Sequence, residues 1–267
     1  MTAPAALHVE RMGPADATRL VAFTHGIYGS GANWRTIARQ VLVRAPGWGA
    51  LLVDLRLHGR SSAGAPPHTV AACADDLRAA FAAAGAPVAA AVGHSFGGKV
   101  VLALPELAHR VILDSTPSAR PDAWEAPDNS VRAVWESMAA LDRVWARRDD
   151  YVAALVARGH AASLAHWVAT NLAPVDGGLA LRLDLPAIRA LVGDYYRVDL
   201  WPLVDAATAP ITMVVAKHGR TVSADDLARL EHAPPCVTTH VIAGAGHWLH
   251  LDAPAAVIDH VAAALAP

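Results

Sequence analysis

The chain has 267 residues, of which 54% are hydrophobic and 17% are charged, and its formal net charge is −2. This composition excludes a disordered chain, and the charge gives no electrostatic reason to expect a nucleic acid or an anionic membrane as a partner. The length suffices for one large domain with a sizeable core.

The amino-terminal residues and the two cysteines indicate in which cellular compartment we expect the protein. The first residues, MTAPAALHVERMG, lack a cationic stretch followed by an apolar core, so we expect no signal peptide. Residues 79–98 carry no charged side chain, but their glycines and proline favour a helix end, a turn and a buried strand over an integral membrane segment. Cys73 and Cys236 are too few for a disulfide framework, and we expect buried free thiols in the reducing cytoplasm.

Apolar runs and helical patterns alternate through the first 114 residues. In chain order they predict strand 20–26, helix 33–43, strand 50–55, helix 69–84, strand 87–92, helix 96–104 and strand 110–114. Asn33 is a plausible N-cap of the first helix. The order is typical of βαβ units, and we therefore predict an α/β fold with a mainly parallel sheet flanked by helices.

The alternation stops between residues 115 and 204, where we find only helical patterns and loops. Five of the eight tryptophans fall there: Trp124, Trp135, Trp145, Trp167 and Trp201. The alternation resumes with strand 211–216, helix 223–232, strand 236–243 and helix 254–265. The pattern predicts an α/β core, formed by 1–114 and 205–267, that is interrupted by a helical cap, or lid, over 115–204.

Ser95 stands out because it occupies the centre of Gly93-His94-Ser95-Phe96-Gly97, between a predicted strand and a predicted helix. In this context G-x-S-x-G is typical of a nucleophile elbow, a sharp turn that strains the serine backbone. Larger side chains two positions to either side would collide across such a turn. We predict that Ser95 is the nucleophile of an acyl transfer; a serine that merely caps the helix is the competing interpretation.

An acyl-transfer site also needs donors for the developing oxyanion. We expect the amides of Phe96, at the start of the helix, and of Ile27, in the loop HGIYGS after the first strand, to supply them. His25, Gly26 and Tyr28 of this loop would then contact the substrate. Alternatively His25 and Gly26 only shape the loop, with His25 as a structural hydrogen-bonding residue.

The catalytic base must be chosen from fourteen histidines. His247, in VIAGAGHWLHLDAP, follows a predicted strand and a glycine loop downstream of Ser95, which is where this fold needs a base. We predict that His247 is the base. His250 is its competitor, and His58 is more simply explained as a residue that stabilises a loop.

A carboxylate is also needed to orient the imidazole of the base. The segment after strand 211–216 is the first place to look for it, but this segment reads AKHGRTVS and holds no carboxylate. Asp114, at the end of an earlier strand, is expected at the same sheet edge as Ser95, and we predict that it orients the imidazole of His247. Asp225, Asp226 or no acid at all are the alternatives. Asp114 is also compatible with a purely turn-forming role.

Five segments carry a family resemblance: HGIYGSGANW, VDLRLHGRS, GHSFGGKVV, VILDSTP and VIAGAGHWLH. Together they resemble the α/β-hydrolase fold family, in particular the esterases that include the YbfF-type enzymes and abhydrolase-domain-containing protein eleven. The resemblance spans nearly the whole chain and is weakest in the insertion. It implies an eight-stranded-type sheet, hydrolysis of esters or thioesters without a cofactor or metal, and an acid at Asp114.

We therefore expect a carboxylesterase-type serine hydrolase for small to medium acyl groups, whose partner is a small-molecule ester or thioester. Trp124, Trp135 and Trp145 of the insertion and Trp248 beside the base are expected to contribute an apolar acyl pocket, although each tryptophan is also compatible with a core position. A C–C bond hydrolase, a cofactor-free perhydrolase and a ligand receptor on the same scaffold are the rival functions.

Four cations near the expected site have simpler explanations than substrate binding. Arg143, Arg147 and Arg148 lie near one another on a predicted helix and would suit an anionic leaving group such as a CoA phosphate. A solvated helix face explains them as well. Lys99 follows the elbow, and we expect it to form a structural ion pair.

Overall fold

The structure is a computed structural model that describes residues 4–266. Strands and helices alternate in its amino-terminal part. They are β1 (Val9–Met12), β2 (Arg19–Thr24), a 3-10 turn (Gly31–Trp34), α1 (Arg35–Arg44), β3 (Trp48–Val53), α2 (Val70–Ala82), β4 (Val88–His94), α3 (Phe96–Leu102) and β5 (His109–Leu113). The sequence patterns do not predict β1, because its four residues, VERM, form no apolar run and none of them is buried.

The start of the first long helix differs from the prediction. Asn33 does not cap α1, which begins at Arg35. Instead the Asn33 side chain accepts a hydrogen bond from the Ser30 amide at 2.7 Å and closes the 3-10 turn before the helix. The side chain therefore stabilises the entry to the helix one turn earlier than expected.

We call residues 115–204 the cap segment. Its elements are a 3-10 helix (Pro121–Glu125), α4 (Ser130–Ala139), β6 (Val144–Trp145), α5 (Arg148–Ala157), α6 (Ala162–Ala169), β7 (Leu172–Val175), β8 (Gly178–Leu181), α7 (Leu185–Arg197) and α8 (Trp201–Asp205), which ends one residue beyond it. The expectation of helices and loops alone was wrong, because β6, β8 and β7 form a small antiparallel sheet. The Asp-Gly pair between β7 and β8 is a hairpin signal, and Gly177 there has a φ of +85°.

The remaining elements return to the core pattern. They are β9 (Ile211–Ala216), α9 (Ala224–Leu230), β10 (Val237–Ile242), α10 (Leu249–Asp252) and α11 (Pro254–Ala264). Ser223 caps α9 by accepting a hydrogen bond from the Asp226 amide at 3.0 Å. Within residues 4–266, no helix combines the length and the hydropathy needed to cross a membrane.

The central sheet has the order β1-β3-β2-β4-β5-β9-β10. β1 is antiparallel to β3, and the other neighbouring pairs are parallel, which confirms the predicted mainly parallel sheet. The described residues form seven strands here rather than the eight of the type that the resemblance implies. Because parallel strands end at one edge, the segments after β2, β4, β5, β9 and β10 meet there.

Alternating side chains of each strand enter two separate cores. Leu20 and Ala22 of β2 join a buried cluster with α2, α3 and the cap segment, whereas Val21 and Phe23 join a second cluster with α1 and α11. The cap segment therefore packs on one face of the sheet. Cys73 is buried and Cys236 is half-buried, and both are free thiols.

Candidate active site

Ser95 lies in the turn between β4 and α3 with a φ of +52° and a ψ of −116°. A Cβ on Gly93 would collide with the backbone carbonyl of Gly97 across this turn, as the spacing argument requires. A Cβ on Gly97 would lie 2.6 Å from the carbonyl oxygen of His25, so the second glycine makes room for a different neighbour. Both glycines are needed to hold a strained serine at the sheet edge.

His247 lies in the loop between β10 and α10 and faces Ser95. Its Nε2 is 3.0 Å from Ser95 Oγ, and its Nδ1 is 2.6 Å from Asp114 Oδ2. Thr221 Oγ1 lies 3.0 Å from the same Nδ1. With its proton on Nδ1 donated to Asp114, the ring has Nε2 free to accept the Ser95 hydroxyl proton.

Asp114 follows β5 directly and takes a φ of +44°, in the left-handed region. Its side chain is buried, and its Oδ1 accepts a hydrogen bond from the Ala216 amide at 3.0 Å. A Cβ on Gly219 would lie 2.8 Å from both carboxylate oxygens. The loop after β9 therefore contributes no acid of its own; its glycine leaves the space that the Asp114 carboxylate occupies.

The alternative acids, Asp225 and Asp226, have other surroundings. Asp225 is exposed in the first turn of α9. Asp226 is buried and accepts hydrogen bonds from the hydroxyls of Thr116 and Ser118 and from the Ser223 amide. Burial acts to raise the pKa of Asp226, but the hydrogen bonds, from Ser118 foremost, outweigh it and lower the pKa. Asp226 ties α9 to the loop after β5.

His94, which the sequence patterns do not single out, contacts His247 on the side of its backbone carbonyl. Its Nε2 donates a hydrogen bond to the backbone carbonyl of His247 at 2.7 Å, and the two ring centroids are 4.8 Å apart. Burial lowers the pKa of His94, so its ring stays neutral. His250, the competing base, packs on His94 with ring centroids 4.9 Å apart, and burial lowers its pKa to about 4.

His25 is a structural residue and does not line the cavity, so its predicted contact with the substrate is corrected. The ring donates from Nδ1 to the Gly26 carbonyl at 2.8 Å and accepts at Nε2 from the Leu55 amide at 3.0 Å. Burial lowers the pKa of His25 to about 4 and keeps the ring neutral for both bonds. His25 thereby joins the loop after β2 to the loop after β3.

His58 forms a second link between the same two loops. Its Nε2 accepts a hydrogen bond from the Tyr28 amide at 3.2 Å, and burial lowers its pKa to about 3. Tyr28 has a φ of +66°, and its hydroxyl donates to the carbonyl of Val131 in α4 at 3.0 Å. Asn171 also donates to the Tyr28 carbonyl, at 2.8 Å. The loop is thus held from the core and from the cap segment.

The amides proposed for the oxyanion come from the two segments beside Ser95. Phe96 begins α3, so its N–H is one of the free donors of a helix N-terminus. Ile27 lies in the loop that His25 and His58 hold, and both Ile27 and Ser95 line the same cavity. Neither N–H has an acceptor within residues 4–266. Two unpaired donors therefore flank the serine.

A cavity of about 410 Å³ lies above Ser95 and has walls from both the sheet edge and the cap segment. Of the predicted substrate contacts, Gly26, Tyr28 and Trp248 line it. Trp167 also lines it and packs on Trp248 with ring centroids 4.6 Å apart. Helical spacing alone does not indicate which tryptophan of the insertion faces a cavity, so Trp167 was missed.

Three predicted pocket tryptophans, Trp124, Trp135 and Trp145, lie elsewhere and are corrected here. The Trp124 ring packs against Trp135 and lies under the guanidinium of Arg189, 3.8 Å from Cζ to the ring centroid. The indole N–H of Trp135 donates to the Leu185 carbonyl, and that of Trp145 to the Asp142 carbonyl, both at 2.8 Å. These rings pack within the cap segment itself, Trp124 buried and Trp135 and Trp145 half-buried.

The three arginines considered for an anionic leaving group do not share a helix or line the cavity. Arg143 is exposed in a turn before β6. Arg147 lies at the surface, 3.6 Å from the carboxylate of Asp150. Arg148 begins α5 and donates to backbone carbonyls, at 3.4 Å to that of Leu172.

Lys99 forms no ion pair within residues 4–266, contrary to expectation. Its buried ammonium donates to the backbone carbonyls of Ser118, Tyr195 and Val198 at 2.8, 3.0 and 2.8 Å. Burial lowers its pKa to about 8. One core lysine thus satisfies three carbonyls of the cap segment.

In the described part of the chain, no group of three or more His, Cys, Asp or Glu side chains is arranged to hold a metal ion. The chemistry available at the site is that of a hydroxyl, an imidazole and a carboxylate in series, with two free amides beside them.

Known proteins resemble the chain over nearly its whole length. It matches the alpha/beta hydrolase family over residues 21–260. The sn-1-specific diacylglycerol lipase ABHD11 of Danio rerio is 29% identical over 265 residues, which cover 96% of this chain and 80% of that protein. The esterase YbfF of Escherichia coli (strain K12) is 30% identical over 246 residues, 89% of either chain.

The fold has relatives among solved structures as well. A marine microorganism esterase superposes with a TM-score of 0.85 over 97% of this chain and 99% of its own, at 20% identity. At this identity the likeness supports the fold alone. The sequence matches identify the chain as a hydrolase that belongs to the alpha/beta hydrolase family.

Proposed function

We propose that the protein is a serine carboxylesterase that cleaves small to medium acyl esters through an acyl-enzyme, with Ser95 as nucleophile, His247 as base and Asp114 as the orienting acid. One observation carries the proposal: a continuous chain of contacts from Asp114 Oδ2 through both ring nitrogens of His247 to Ser95 Oγ. The esterase and lipase relatives support the same class of reaction.

In the first half of the reaction, Ser95 Oγ attacks the ester carbonyl carbon while His247 Nε2 takes the hydroxyl proton. Asp114 stabilises the resulting imidazolium through Nδ1. The amides of Ile27 and Phe96 bind the oxyanion of the tetrahedral intermediate. The imidazolium then protonates the leaving alcohol, and the acyl group stays on the serine.

In the second half, water takes the place of the alcohol. His247 removes a proton from this water as it attacks the acyl-enzyme, and the same amides bind the second oxyanion. Return of the proton to Ser95 Oγ releases the acid. Throughout, His94 acts as a positioning residue, because its hydrogen bond to the His247 carbonyl holds the loop that carries the base.

The core and cap division, with residues 115–204 as a lid over the site, belongs to the same proposal. Residues of this segment, including Val131, Val134, Leu164 and Trp167, form an apolar part of the cavity wall. A cavity of about 410 Å³ suits a small to medium acyl group.

A fluorophosphonate probe tests the assignment of the nucleophile. We expect mass spectrometry to find a single adduct on Ser95 and none in Ser95→Ala. In the same variant, kcat for p-nitrophenyl ester hydrolysis should fall by roughly 10⁴-fold or more. The control is Ser163→Ala, at an exposed serine of the cap segment, which should behave as the wild type. An adduct elsewhere, or hydrolysis that survives in Ser95→Ala with an unchanged Tm, would overturn the proposal.

A further inference from the structure

Within the described residues, Arg120 is the one arginine or lysine of the cavity wall whose side chain has neither an ion-pair nor a hydrogen-bond partner. It lies just before the 3-10 helix Pro121–Glu125 and is half-buried. The other arginine of the wall, Arg220, is exposed at the rim and forms an ion pair with Asp128. Arg120 makes no ion pair and no side-chain hydrogen bond within residues 4–266. Its charge is therefore left for something that enters the cavity.

A purely structural role explains Arg120 poorly. Its side-chain contact is with the ring of Tyr196, and the 5.9 Å from Cζ to the ring centroid is at the outer limit of a cation–π interaction. By contrast, the guanidinium of Arg189 lies 3.8 Å from the Trp124 ring in the same segment. A guanidinium has five N–H donors in a planar fork, and those of Arg120 meet no protein acceptor.

A second donor lies in the same cavity wall, on the tyrosine whose ring Arg120 contacts. The Tyr196 hydroxyl accepts a hydrogen bond from Asn129 Nδ2 at 3.0 Å, and its own hydrogen has no acceptor within residues 4–266. Burial raises the pKa of Tyr196, so the phenol keeps that hydrogen. Tyr196 lines the cavity as Arg120 does. One wall therefore presents a fixed positive charge and a neutral donor.

We propose that Arg120 and Tyr196 bind a carboxylate of the substrate, so that the esters hydrolysed here carry a carboxylate besides the scissile bond. This inference rests on the proposed esterase function and names its substrate class. A planar guanidinium fork matches the two oxygens of a carboxylate, and the other described residues of the wall include no second unpaired arginine or lysine for a dianionic phosphate. Monoesters of dicarboxylic acids are the simplest members of the class.

Two matched substrate pairs test the proposal with the carboxylate on either side of the ester. The first is mono-p-nitrophenyl adipate against the same ester of adipic acid monoamide. The second is 4-carboxyphenyl butyrate against 4-carbamoylphenyl butyrate. In at least one pair we expect the wild type to prefer the carboxylate by roughly 10- to 100-fold in kcat/KM, the range of a hydrogen bond to a charged group. Spontaneous hydrolysis is subtracted throughout.

The variants separate recognition from general damage. Arg120→Met should abolish the preference, because it lowers kcat/KM for the carboxylate far more than for the matched neutral amide, and Arg120→Lys should keep part of the preference. Arg147→Met, at an exposed arginine outside the cavity, removes the same net charge and should change nothing. No preference in the wild type, or a preference that survives in Arg120→Met, would overturn the proposal.

A ligand-binding measurement on the inactive Ser95→Ala variant tests the role of Arg120 without relying on ester hydrolysis. If no ester is hydrolysed, the proposed function fails, and Arg120 is judged by ligand binding to Ser95→Ala. Adipate should then raise the Tm of Ser95→Ala but not that of the double variant with Arg120→Met, and adipamide should affect neither. If hexyl phosphate raises the Tm and adipate does not, the site binds a phosphate and the carboxylate proposal is wrong. If neither compound raises the Tm, the inference is overturned as well.

Discussion

The sheet edge and the cap segment both form the cavity, yet they do so by different means. At the edge, Ser95 and Asp114 follow adjacent parallel strands whose last residues, His94 and Leu113, are paired in register. Hydrogen bonds of the sheet thus set the spacing of these two side chains. In the cap segment, helices and a small sheet pack on one another, and most of the tryptophans serve that packing. Position at a strand end therefore predicts which residues meet at the site better than residue type predicts which residues of an insertion face the cavity.

Within this comparison, we expect the largest loss of activity when Asp114, the carboxylate at the sheet edge, is replaced. In Asp114→Asn, the carbonyl oxygen keeps the bond from the Ala216 amide, so the NH₂ group faces His247. The ring then carries its proton on Nε2 and cannot accept one from Ser95. We expect kcat for ester hydrolysis to fall by about 10⁴-fold.

The exposed Asp225 supplies the control for this variant. Asp225→Asn removes the same charge without touching His247 and should keep wild-type kinetics. Comparable losses in the two variants, or an Asp114→Asn enzyme within tenfold of the wild type, would contradict the role of Asp114.

Acid should disrupt the sheet edge through its buried histidines. The pKa values of four neutral histidines there are lowered: His25, His58, His94 and His250. Below about pH 6.5 the unfolded chain protonates these residues while the folded one does not, so the free energy of unfolding falls as the pH is lowered towards 4. We expect a loss on the order of a few kcal/mol in total.

Urea unfolding at pH 7.5, 6 and 5 measures this dependence. The window separates the histidines from the carboxylates, because the lowered pKa values of Glu10 and Glu106 contribute mainly near and below their ordinary value of 4.5, and that of Asp226 near and below 3.8. An unfolding free energy that stays constant from pH 7 to pH 5 would show that these rings do not titrate as their burial requires.

A methyl group at Gly219 tests whether the Asp114 carboxylate needs the space that this glycine leaves, because the substitution changes no charge at the sheet edge. Gly219→Ala would place a Cβ against both oxygens of Asp114 and displace the carboxylate from His247. We expect a loss of about 10²-fold in kcat/KM, typical of a misplacement of roughly 1 Å. Gly193→Ala, in helix α7, meets only the flexible ends of two arginines, Arg189 and Arg197, and serves as control. Equal activities for the two variants would contradict this explanation of the glycine.

The smallest effects are expected for two tryptophans of the cap segment, of which Trp167 lines the cavity and Trp135 does not. Trp167→Phe enlarges the cavity, and we expect the ratio of kcat/KM for octanoate and butyrate esters to change by up to about tenfold. Trp135→Phe removes the indole donor to Leu185 and should lower the Tm by a few degrees without changing that ratio. Chain-length preference that responds to Trp135 and not to Trp167 would reverse the assignment of the two rings.

Much of the architecture was determined by the sequence on its own. The alternating patterns predicted the mainly parallel sheet, and six of its seven strands were located to within a few residues. The three residues chosen for the triad rest on the same reasoning. Each lies at or after the carboxyl end of a predicted strand, and in a parallel sheet such positions share one edge whatever the rest of the fold does. The structure brings Ser95, Asp114 and His247 into contact; their catalytic roles remain predictions.

Only the tertiary structure decided the features that depend on contacts between distant segments. His94 supports His247 from 153 positions away, and Gly219 makes room for an acid on another strand. Which tryptophan lines the cavity, and that Arg120 is left without a partner, follow from how the cap segment packs. Local patterns reflect the chain's own periodicity, whereas these contacts depend on which surfaces meet after folding, and no short stretch of sequence contains that information.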